Sequence, residues 1–114
     1  MLSPLGYQPP AELAAIDQNR NHRVFVYGTL RSPAIRWLVI GRAGNTAPAV
    51  LNGYRKDGLD ITAENEAQVK GLVFEVNANE LQRLDRYERL GLRYKRVSHI
   101  IDNGDPVWVY QRLP

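Results

Sequence analysis

Two stretches of this chain combine side chains able to do chemistry with a backbone able to present them. In the first, Val24-Phe25-Val26 run directly into Tyr27-Gly28-Thr29-Leu30-Arg31. β-Branched and aromatic residues followed by glycine read as a strand ending in a sharp turn, and glycine lets that backbone come close to a ligand. Ser32 and Pro33 then read as the N-cap and first position of a helix carrying Ile35, Trp37 and Leu38. Strand, glycine turn and helix start, in that order, gather free backbone N–H groups suited to an anion or a developing oxyanion. The second stretch holds a carboxylate. Leu81, Leu84 and Glu88 fall at i, i+3 and i+7 of a helical pattern, which puts Glu88 on the apolar face and in the last turn. Burial and the negative end of the helix dipole both push its pKa upward, toward what a general base needs near neutral pH. Each stretch also has a plainer reading. Tyr27-Gly28-Thr29 is equally a strand-end turn, and Glu88 a solvated helix-end residue paired with Arg89 or with Arg96.

The remaining polar residues offer less chemistry. The chain has no cysteine, which excludes disulfides, zinc–thiolate sites and thiol catalysis. Ser32 and Thr29 have no histidine at a convincing spacing, so a serine-type nucleophile is not expected. His22 and His99 are too isolated for a metal site or a triad, and no metal or cofactor is expected. Asp85 reads as the structural partner of a nearby arginine. Tyr94 and Tyr110 taken by themselves read as core packing, since tyrosines are commonly half buried.

The elements that must position these groups follow from periodicity and turn chemistry. Residues 23–27 form a first strand and 33–40 a short helix stopped by Gly41. Residues 47–54 and 59–63 read as two strands joined through Lys56-Asp57-Gly58, with Glu64-Asn65-Glu66 as a further turn. Residues 69–76 form a strand that is apolar on both parities and hence well buried. The helix over 78–90 carries the most complete signals: Asn77 as N-cap, Glu80 closing a capping box, Val76 and Leu81 as a staple, and Gly91 as its stop. Strands over 94–101 and 107–112 follow, joined by a hairpin through Asn103-Gly104-Asp105. The expectation is an α+β domain of about six strands and two short helices.

The 114 residues suffice for one domain with a single core. Residues 22–114 read as that domain. Residues 1–21, punctuated by Pro4, Pro9 and Pro10, read as an extension that packs loosely or lacks order, with a short helix over 10–18. The charge is mildly basic, +3 from 15 Lys and Arg against 12 Asp and Glu. Arg83, Arg86, Arg89, Arg93, Lys95 and Arg96 cluster, but a solvated helix face accounts for them better than nucleic-acid binding at so small an excess. No apolar run reaches the length of a membrane span, and the N-terminus lacks the basic and apolar regions of a secretory signal, so neither membrane nor nucleic acid is an expected partner.

The octapeptide Val24–Arg31 resembles the signature of the gamma-glutamylcyclotransferase-like family (its AIG2-like, gamma-glutamylamine cyclotransferase-type small members). There a Tyr-Gly-Ser/Thr-Leu loop cradles the substrate. Leu84-Asp85-Arg86-Tyr87-Glu88, with Tyr94 and Arg96 beyond it, is similar to that family's Leu-Asp-x-aromatic-Glu-Gly … Tyr-x-Arg pattern. Gly71-Leu72-Val73-Phe74-Glu75-Val76 and Val109-Tyr110 resemble its middle and closing strands. The resemblance runs over residues 23–112. It implies a small mixed β-barrel flanked by short helices. It also implies a cytoplasmic enzyme that converts a gamma-glutamyl amine or amino acid to 5-oxoproline and a free amine, without cofactor, as a monomer or weak dimer. Carried onto this sequence, Glu88 is the catalytic acid/base. Tyr27, Gly28, Thr29 and Leu30 form the cradle, and Tyr94 and Tyr110 wall the cavity. Arg31 lies near the substrate carboxylate or in a salt bridge at the lip. The short chain favours a small or extended amine over glutathione. One departure stands out: Arg89 occupies the position of the family's glycine, and Gly91 is left to stop the helix. Arg89 also favours an alternative in which the pocket binds a carboxylated metabolite without turning it over.

Overall fold

The strand β1 (His22–Val26) forms the middle of the sheet because Val24, Phe25 and Val26 have no polar face to turn to water. The computed structural model describes residues 15–113. After β1 come a 3₁₀ turn (Thr29–Arg31), α1 (Pro33–Ile40), β2 (Thr46–Asp57), β3 (Asp60–Val76), α2 (Ala78–Tyr87), β4 (Tyr94–Ile100) and β5 (Pro106–Arg112). The sheet order is β2-β3-β1-β5-β4. β1 runs antiparallel to β3 and parallel to β5, pairing Val26 with Leu72 and Val24 with Trp108. The fold is α+β, as the residue pattern implies.

The apolar side chains sort into two layers. Val24, Val26, Phe74 and Val76 face Leu30, Ile40, Leu81 and Leu84, which come from the 3₁₀ turn and the two helices. Phe25, Tyr27, Leu51, Val69, Val107 and Val109 form the second layer. Gly71 is where these layers leave no room. A Cβ there would fall onto the Val26 carbonyl oxygen and 2.8 Å from Phe25 Cζ, so only glycine lets β3 approach β1 this closely.

Several boundaries differ from expectation. There are five strands rather than six, because residues 59–63 and 69–76 belong to the single long β3. The expected turn at Glu64-Asn65-Glu66 is an irregularity within it: opposite Gly53 of β2 the register jumps from Asn52↔Gln68 to Tyr54↔Ala63, and Glu66 takes a φ of 67°. The β2–β3 hairpin turns through Gly58 and Leu59, one step later than Lys56-Asp57-Gly58, with Gly58 at φ 61° as a primed turn requires. α2 ends at Tyr87, three residues before the expected Leu90. Most of the helix expected over 10–18 lies outside the described residues, and residues 15–18 are not helical.

The barrel is incompletely closed. No ladder joins β2 to β4, yet the two edges meet. Asp102, just past β4, donates its N–H to the Val50 carbonyl at 3.0 Å and accepts the Val50 N–H on Oδ1 at 3.2 Å. The Tyr54 and His99 rings meet edge-on at 5.0 Å between the same strands.

Candidate active site

β1 is clamped on both sides, so the residues just past it are held in a fixed place. After Gly28 the chain tightens at once: Arg31 N–H donates to the Gly28 carbonyl at 3.1 Å and Ser32 N–H to that of Thr29 at 3.0 Å. Ser32 caps α1 by accepting the Ile35 N–H, and Leu30 is buried beneath the turn. The carbonyls of Leu30 and Arg31 are gripped by Arg36 Nη1 at 2.9 and 2.8 Å, while Arg36 Nε reaches the Ala43 carbonyl at 2.6 Å. This buried arginine thus fixes the acceptors of the loop. The N–H groups of Gly28, Thr29 and Leu30 make no turn or loop hydrogen bond among the described residues.

Glu88 arrives at the same place from α2. The helix opens with the capping box: Asn77 accepts the Glu80 N–H and Glu80 accepts the Asn77 N–H. It closes with a Schellman motif, Leu90 N–H to the Asp85 carbonyl at 2.9 Å and Arg89 N–H to that of Arg86 at 3.1 Å. The motif needs a left-handed residue, which is Arg89 at φ 53°. So Arg89 itself takes the glycine conformation instead of passing the stop to Gly91. Glu88 is the C-cap, half-buried and turned to the cavity. Burial alone raises its carboxyl from the ordinary 4.5 to about 7. Among the described residues it makes no hydrogen bond or ion pair. Neither Arg89 nor Arg96 neutralises it; Arg96 is engaged elsewhere.

A cavity of about 300 Å³ lies between loop and helix end. It gathers Tyr27, Gly28, Thr29, Leu30, Glu88, Tyr94 and Tyr110, from four separate parts of the chain. The tyrosine hydroxyls are already committed. Tyr27 donates to the Tyr110 carbonyl at 2.6 Å, Tyr110 to Asp85 Oδ1 at 2.6 Å, and Tyr94 to the Leu59 carbonyl at 2.7 Å. Burial above all raises the pKa of each, and the Glu88 charge adds to it. They serve as rigid neutral walls, and Glu88 is left as the group that can exchange a proton near neutral pH. Asp85 is held by Arg96 through two bonds, at 2.9 and 3.1 Å, in a pair whose side chains are each 1% exposed, and Trp108 covers the guanidinium at 4.4 Å. That is the structural role its sequence position suggests.

Arg31 does not line the cavity. Its Nε folds back onto the Gly28 carbonyl at 3.2 Å, and no salt bridge holds it among the described residues. Sequence reasoning missed Leu59, Tyr87 and Arg93 as lining residues, while Arg89, expected beside the base, does line the cavity. Tyr87 was visible as the aromatic before the glutamate; its hydroxyl bonds Thr29 Oγ1 at 2.8 Å and ties helix to loop. Leu59 had no signal, because it reaches the site from a hairpin tip remote in sequence.

Known proteins share this fold. Residues 24–114 match the model of the family described as gamma-glutamyl cyclotransferase, AIG2-like. Protein AIG2 C of Arabidopsis thaliana is 34% identical over 100 residues, 79% of this chain and 59% of that protein, so the chain spans less than two thirds of that relative's length. The solution structure of an Arabidopsis thaliana protein superposes with a TM-score of 0.67 at 31% identity, over 86% of this chain and 66% of that one. A structure described as a gamma-glutamyl cyclotransferase superposes with a TM-score of 0.64 over 82% of this chain and 68% of that one; at 15% identity the likeness is one of fold.

Proposed function

The chain belongs to the gamma-glutamyl cyclotransferase, AIG2-like family, and from that premise we propose that it converts a gamma-glutamyl amine or gamma-glutamyl amino acid to 5-oxoproline and the free amine. The α-amine of the glutamyl group attacks its own side-chain carbonyl. A new C–N bond closes the five-membered ring, and the bond to the leaving nitrogen breaks. Glu88 takes a proton from the α-ammonium and returns it to the departing nitrogen, and the second proton that the attacking nitrogen loses leaves with the freed amine, which departs as an ammonium. The N–H groups of Gly28, Thr29 and Leu30 hold the α-carboxylate or the oxyanion, and Tyr27, Tyr94 and Tyr110 keep the substrate folded so that the ring-closing atoms meet. The setting is cytoplasmic, and the partner is a small molecule. The observation that carries this reading is Glu88: a half-buried carboxylate without a partner among the described residues, raised to about 7, in one cavity with the glycine loop.

The test is 5-oxoproline release from gamma-glutamyl amino acids, gamma-glutamyl amines and glutathione, with Glu88→Gln beside the native protein. Turnover on at least one compound, lost in a folded Glu88→Gln, is the expected result. A folded native protein that releases nothing from the whole panel would assign the cavity to binding a carboxylated metabolite instead.

A further inference from the structure

Arg89 and Arg93 carry the feature that the cyclisation itself does not use. Both line the cavity and both are exposed at its mouth. The turn after α2 brings them together, since Arg93 N–H donates to the Arg89 carbonyl at 2.9 Å. Both side chains line the same cavity, and two like charges that share one cavity wall repel. Neither guanidinium makes a salt bridge or hydrogen bond among the described residues. Arg89 moreover holds a left-handed backbone, at φ 53°, that glycine would take freely. Nothing in the fold rewards two arginines here. Beyond the cavity wall, Asp60 and Arg112 act on Tyr94 with opposite sign, and Asp60 accepts the Arg112 backbone N–H at 2.9 Å. Among the cavity-lining residues, Arg89 and Arg93 stand against the single carboxylate of Glu88, which leaves the entrance positive.

We propose that Arg89 and Arg93 form a cationic subsite that selects substrates whose leaving amine itself carries a carboxylate. This rests on the cyclotransferase reading for the identity of the leaving group. The carboxylate of an amino acid or the C-terminus of a peptide would meet the same chemistry, and Leu59 and Tyr87 supply an apolar flank for whatever joins it to the amide.

The test compares gamma-glutamyl-alanine with gamma-glutamyl-ethylamide, which differ only by that carboxylate, and gamma-glutamyl-alanyl-glycine places the carboxylate one residue farther out. Binding is measured by calorimetry on Glu88→Gln, so that affinity is read without turnover, and 5-oxoproline release is measured on the native protein. Gamma-glutamyl-alanine is expected to bind about tenfold more tightly than the ethylamide, the scale of two exposed charge contacts. That ratio should fall toward one when Arg89→Gly and Arg93→Gln are added together. Arg89→Gly suits the backbone, so loss of folding does not confuse the result. The peptide shows which source of carboxylate the subsite reaches. A ratio near one before the arginines are changed, or a ratio that survives their removal, overturns the proposal. A tenfold ratio with no 5-oxoproline from any compound upholds the subsite and removes the reaction.

Discussion

Burial holds the Glu88 carboxyl at about 7 against an ordinary 4.5, so the proton proposed to move in the reaction also enters folding. Below about 4.5 the group is neutral whether the chain is folded or not, and pH has no effect through it. Between about 4.5 and about 7 the unfolded chain gives up the proton and the folded one keeps it, so stability falls as pH rises. Above that window the folded state carries the whole penalty, on the order of 3 kcal/mol. Denaturant melts should therefore show the Glu88→Gln variant gaining on the native protein across this window, and a gap that stays flat from about pH 4 to about pH 8 would contradict the buried setting. As a general base, the same group predicts that kcat/KM climbs with pH to a plateau, with a midpoint of about 7. Asp85 is the contrasting carboxylate, spent wholly on structure. Asp85→Asn leaves the Arg96 charge buried and uncompensated, and should cost about 3–5 kcal/mol in a urea melt. A loss below about 1 kcal/mol would mean that the pair is solvated.

Among the elements, β3 and α2 place the site, and each depends on a small residue-level device. Gly71→Ala pushes β3 from β1, and is expected to lower stability by about 2–3 kcal/mol; a thermal melt within error of native would show that the strands can part at no cost. The same two elements show what was readable from sequence. The α2 start was legible because Asn77, Glu80, Val76 and Leu81 are local signals that act within one turn. Its end was not, because a left-handed arginine is a poor bet from residue type and only the Schellman bonds of Arg89 and Leu90 reveal it. β3 was divided in two because Glu64-Asn65-Glu66 has turn composition, whereas pairing with β2 carries the strand through it. Glu88 and the glycine loop could be found because helical spacing and strand-end chemistry mark them. Arg36 and Leu59 could not: one grips carbonyls in the 3₁₀ turn before its own helix, and the other arrives on a hairpin tip.

At the scale of the whole molecule the sheet is an almost closed wall whose gap is bridged at Asp102 and Val50. Removing the side-chain half of that bridge, Asp102→Ala, should cost about 1 kcal/mol and speed exchange of the Val50 amide hydrogen, with little effect at the β1–β3 amides. Equal acceleration throughout the sheet would mean that the barrel opens as one unit. The parallel pairing of β1 with β5 has a consequence in time. Val24 and Trp108 are neighbours in the sheet and stand far apart along the chain, so β1 is made early and paired on its second side late. A nascent chain that has not yet produced β5 presents a bare apolar strand edge to whatever else is being synthesised nearby. It also lacks Tyr110, to which Tyr27 must donate. The cavity is therefore complete only once β5 has been made and paired with β1.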